Sequence, residues 1–238
     1  MSEPTDIALD LKEETLRIAY NSGLDQLIND ISRKNSLTDF ESQSVIPIPT
    51  DLIEEGDYSV SLSQEVKEYF DEYNELINNE RTAFEFPFLI TGKSDETSKI
   101  KATNIAQLNS TSDILNNEIL RISSYSRLLT ENILKAKEKG DDIYILGHTH
   151  PIPNQMVKQS SLTEKIDIDS KNKFHIKELG LNLSLQDLYQ LVYFEHAVKG
   201  IVPPNSKIFL SVLMFSGEVC FVYIEDRKFK KSKVTDRD

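Results

Sequence analysis

Two histidines at alternate positions, His148 and His150, close the apolar run Ile145-Leu146-Gly147-His148-Thr149-His150-Pro151. In an extended strand alternate side chains share a face, so both rings would point the same way. Two neutral imidazoles on one face can grip a divalent ion, and zinc suits them. A catalytic zinc takes three protein ligands and keeps a position for water, so the reading requires a carboxylate and a base from elsewhere in the chain.

Both are present. Leu183-Ser184-Leu185-Gln186-Asp187-Leu188 reads as a loop entering a helix, with Ser184 at the N-cap and Asp187 one turn in. Upstream, Phe84-Glu85-Phe86-Pro87-Phe88-Leu89-Ile90-Thr91-Gly92 sets one acid in an otherwise apolar strand. An isolated carboxylate in such a setting needs a partner or a task.

With these three elements in this order, the chain resembles the JAB/MPN (JAMM) metallopeptidases. The carriers are Glu85 before a hydrophobic strand ending in Gly92, His148-Thr149-His150-Pro151, and Ser184-Leu185-Gln186-Asp187 opening a helix. The resemblance spans Tyr58 to Ile224 and implies zinc ligands at His148, His150 and Asp187, an acid/base at Glu85, and an oxyanion-stabilising hydroxyl at Ser184. It also implies an α/β fold, a mixed sheet flanked by helices. The implied reaction is hydrolysis of the amide joining the tail of ubiquitin or a ubiquitin-like protein to an amine. Zinc with three protein ligands can lower the pKa of a water to about 7, a carboxylate in apolar surroundings gains proton affinity, and loss of one oxyanion donor costs about a hundredfold or more.

Family members place Ser-x-x-Asp soon after His-x-His, whereas Pro151 to Leu183 intervene here. Inside that insertion Ser161-Leu162-Thr163-Glu164 lies nearer the spacing found in the family, and Asp167, Asp169 and His175 could also reach a metal. Ser184 with Asp187 is preferred because only that pair leads into an amphipathic helix, Leu188 to Val198. A connection of this length is expected to form a flap beside the cleft. His196, farther along the same helix, reads as an ordinary satisfied side chain.

The elements needed to position these residues are legible as periodicity. Thr5 to Lys34 carries Ile7, Leu11, Leu16, Ile18, Leu24, Leu27 and Ile31 at helical spacings, so residues 1–56 read as a mostly helical extension and linker, with Pro47 and Pro49 in the linker. Residues 57–226 read as the metallopeptidase-like domain. It opens with a strand over Tyr58–Leu62 and a helix capped by Ser63. A hairpin over Ala83–Thr91 and Lys99–Leu108 follows, then a helix from Leu115 to Lys139 stopped by Gly140. The histidine strand starts at Asp142, and a final hairpin covers Lys207–Phe215 and Glu218–Glu225. Residues 227–238 read as a polar tail.

The 238 residues carry a formal net charge of −12, which argues against a nucleic-acid backbone or an anionic membrane as partner. The single cysteine, Cys220, excludes an internal disulfide and sits in an apolar alternation, so it reads as a small buried residue. No basic, apolar leader and no run of membrane-spanning length is visible, which makes a cytoplasmic protein the expectation.

Overall fold

The computed structural model describes residues 53–78, 86–95, 98–108, 122–150, 166–168, 174–176, 183, 185–214, 219–226 and 228–235. Within these, β1 (Glu54–Leu62) leads into α1 (Gln64–Asn78), β2 (Pro87–Ser94) and β3 (Lys99–Gln107), followed by α2 (Ile122–Glu138) and β4 (Ile143–His150). Two short strands, β5 (Ile166–Ile168) and β6 (Phe174–Ile176), precede α3 (Leu185–Val198), β7 (Lys207–Met214), β8 (Val219–Glu225) and β9 (Lys228–Thr235). No described helix is long and apolar enough to cross a membrane.

The strands close into a barrel in the order β1-β3-β2-β4-β7-β8-β9. This overturns the expected α/β sheet flanked by helices. The reason lies in the two ends of the described chain. Lys228–Thr235, expected as tail, forms β9, which pairs antiparallel with β8 and parallel with β1. β1 in turn starts at Glu54, inside the expected linker. A lysine-rich segment can join the wall because its charges are met across the strands. Lys228 reaches Glu54 at 2.7 Å, Lys231 reaches Glu55 at 2.9 Å, and Lys230 reaches Glu225 at 2.6 Å, while Phe229 is buried. Such pairs are individually modest, and their main effect here is to make the closing register compatible in charge. The helices expected over Thr5–Lys34 lie outside the described residues.

Alternation sorts the side chains into two cores. Val60, Phe88, Ile90, Ile100, Ile145, Phe209, Leu213, Phe221 and Tyr223 come from six strands and converge on the barrel interior, joined by Val66, Phe70 and Tyr73 of α1. The opposite faces of β2 and β4 present Leu89, Tyr144 and Leu146 to Leu129, Ile133 and Ala136 of α2 and to Phe194 and Val198 of α3. Ser63 caps α1 as expected, its hydroxyl receiving the Val66 N–H at 3.4 Å. Gly140, at φ 75°, stops α2. Its N–H reaches the Lys137 carbonyl at 3.0 Å and the Asp141 N–H reaches the Ala136 carbonyl at 3.0 Å, the paired bonds of a left-handed helix end.

Candidate metal centre

β4 is strand through both histidines, Ile143–His150. Its register is fixed on both sides. Pro87 of β2 lies opposite His148, and on the parallel neighbour β7 His148 faces Val212 and His150 faces Met214. Odd positions of β4, Ile143 and Ile145, belong to the interior core, and even positions, Tyr144 and Leu146, to the outer core beneath the helices. His148 continues the even series, on the side covered by α3.

α3 brings the carboxylate to it. Leu188, Leu191, Val192, Phe194 and Val198 are buried, and Asp187 is buried with them in the first turn. Asp187, Leu191 and Phe194 share a helix face by their i, i+4, i+7 spacing, so packing of that face carries Asp187 down to the barrel wall. There Asp187 Oδ1 lies 3.0 Å from His148 Nε2, with the two side chains only 3% and 4% exposed. An uncompensated charge at this depth costs on the order of several kcal/mol, so the pair must be matched by a proton, a metal ion or both.

Zinc holds imidazole nitrogen and carboxylate oxygen at about 2.0–2.1 Å in a tetrahedron, which sets two such ligands about 3.3–3.4 Å apart. The observed 3.0 Å is within a few tenths of an ångström of that edge. The same separation is that of an imidazole–carboxylate hydrogen bond, so the buried pair is compatible with two of the three protein ligands that a catalytic zinc takes. The side chain of His150, and Glu85 and Ser184 altogether, lie outside the described residues; so do Thr163, Glu164 and Asp169. Among the described residues no group of three His, Cys, Asp or Glu side chains comes together. Asp167 and His175 are register partners in the β5–β6 ladder, a two-stranded sheet separate from the barrel. His196 is exposed on α3.

Two neighbours complete the surroundings. Cys220 of β8 lies opposite Val212, which lies opposite His148, so the three form one row across the wall. Burial pushes its thiol up to about 12, with the Asp187 and Glu55 carboxylates adding to the rise and Lys231 opposing it. At neutral pH Cys220 is therefore a neutral thiol, and it is buried, as its apolar alternation predicted. Thr149, fully buried between the two histidines in sequence, was missed as a contributor. Its hydroxyl oxygen accepts the Phe86 N–H at 2.9 Å, and its own N–H reaches the Phe86 carbonyl at 3.2 Å. The available signal was alternation itself, which turns Thr149 to the face opposite His148.

Compared with family models and with curated proteins, the chain matches none.

Proposed function

We propose that the protein is a zinc-dependent hydrolase of peptide or isopeptide bonds, with His148, His150 and Asp187 as metal ligands, Glu85 as acid/base and Ser184 as oxyanion donor. The observation that carries this reading is the buried contact between His148 Nε2 and Asp187 Oδ1. Those two residues were paired from sequence by motif order and by the amphipathic helix that follows Asp187, across the long insertion, in preference to the nearer Glu164 and Asp169. The bound zinc would supply Lewis acidity, polarising the scissile carbonyl and making a water acidic enough to react at neutral pH. The chain's own residues do the rest. His148 and His150 would supply nitrogen from one strand, and Asp187 would supply oxygen from the first turn of α3. Glu85 takes the proton from water and returns it to the departing amine, and the Ser184 hydroxyl donates to the carbonyl oxygen as negative charge develops there.

As substrate class we propose conjugates or fusions of ubiquitin-like proteins in the cytoplasm, on the strength of the motif's resemblance to JAB/MPN isopeptidases. A panel of ubiquitin-like fusions incubated with the full chain tests this. Cleavage at the fusion junction, abolished by a chelator and restored by zinc, is the expected result. Protein that carries zinc and leaves every fusion intact would direct the reading to a small-peptide protease on the same site. Absence of zinc would leave a scaffold in which His148 and Asp187 form a buried ion pair.

A further inference from the structure

We propose that Thr149 is a positioning residue that locks the ligand-bearing end of β4 to Phe86, the residue that joins Glu85 to the start of β2 at Pro87. This rests on the reading of Glu85 as acid/base given above. In an antiparallel ladder Phe86 and Thr149 would exchange both N–H···O=C bonds as a directly opposed pair. Here only one is of that kind, Thr149 N–H to the Phe86 carbonyl at 3.2 Å. The Phe86 N–H goes instead to the Thr149 hydroxyl at 2.9 Å, a bond buried from solvent. The next residue, Pro87, adds no main-chain bond to β4, because it stands opposite His148 at a non-hydrogen-bonded position of the ladder. Its carbonyl is already turned away from β4, accepting the Leu108 N–H at 3.0 Å.

The hydroxyl therefore holds the end of β2 where the ladder gives out. Alternation makes this possible: His148 faces α3 while Thr149 faces inward, so one dipeptide presents a metal ligand on one face and a strand clamp on the other. A general base must stand within hydrogen-bond reach of its proton, and displacement of about 1 Å can cost about a hundredfold. Ligands on β4 and a base joined to β2 hold their spacing only as well as the two strands hold theirs.

The test compares the full-length wild type with Thr149→Val, which keeps the shape and removes the acceptor, and with Thr149→Ser, which keeps the acceptor. Three readouts are taken: hydrogen exchange at the Phe86 amide, zinc affinity, and kcat and KM on the fusion best cleaved by the wild type. Thr149→Val should exchange the Phe86 amide at least about tenfold faster, bind zinc as the wild type does, and lose about a hundredfold in kcat with little change in KM. Thr149→Ser should recover most of that loss, which a purely structural role with no effect on chemistry would not produce. Unchanged exchange in Thr149→Val, or wild-type kcat despite faster exchange, overturns the clamp while leaving the metal-site reading intact. A wild type that neither holds zinc nor cleaves overturns that reading first, and the positioning role with it.

Discussion

At the scale of single residues, the division of labour between ligand and base is the part of the account most exposed to experiment. Glu85→Gln should keep zinc and fold and lose amide cleavage by about a hundredfold or more, since the amide matches the carboxylate in size and cannot take the water's proton. Zinc analysis beside a cleavage assay checks this; loss of zinc would make Glu85 a ligand, and undiminished cleavage would remove it from the chemistry. Cys220 offers an independent check on burial beside the centre. Its thiol is raised from 9.0 to about 12 in the fold, so the unfolded chain gives up this proton first. The stability it contributes is complete below about pH 9 and is lost as pH rises towards 12. Urea midpoints measured from pH 8 to pH 11 should fall more steeply for the wild type than for Cys220→Ala, and parallel curves would contradict the assignment. Of the residues bearing on the site, His148 and Asp187 were singled out by their types and order, and the fold brings the two together. Thr149 was not, because a threonine in a strand has high β propensity and needs no further explanation until its partner is known.

At the scale of elements, β4 depends on a residue with no side chain at all. A Cβ at Gly147 would stand 2.0 Å from Cε2 of Phe88, whose ring packs over the glycine on the interior face. Gly147→Ala should therefore destabilise the fold by at least about 1–3 kcal/mol through overpacking. Its urea midpoint should fall, and Phe88→Leu in the same chain should recover part of the loss; an unaffected midpoint would mean that the ring yields freely. β4 and α3 were readable from sequence, since each is a run of strong apolar period, and so was the Ser63 cap. β9 was not. Only Phe229 of its apolar residues is buried, and its lysines hide the strand until their partners Glu54, Glu55 and Glu225 are in view. Residue type reports a strand well when a dry core selects it, and poorly when cross-strand charge does.

At the scale of the molecule, closure is what turns local strands into a support for chemistry. The barrel ties β4 into the wall between β2 and β7, and α3 packs mainly against β7, so the residues contributed by β4 and α3 meet over a wall with no free edge at that point. Closure could not be inferred from any one segment, because it is a pairing between Glu54–Leu62 and Lys228–Thr235, the first and last described strands. The central claim is that this wall holds a zinc ion between β4 and α3. Metal content of the full chain, purified without added metal and measured beside Asp187→Ala, tests it most directly. The account predicts about one zinc per chain in the wild type, as a single mononuclear site requires, and little in the variant. A wild type without zinc, or an Asp187→Ala protein that keeps it, would contradict the account.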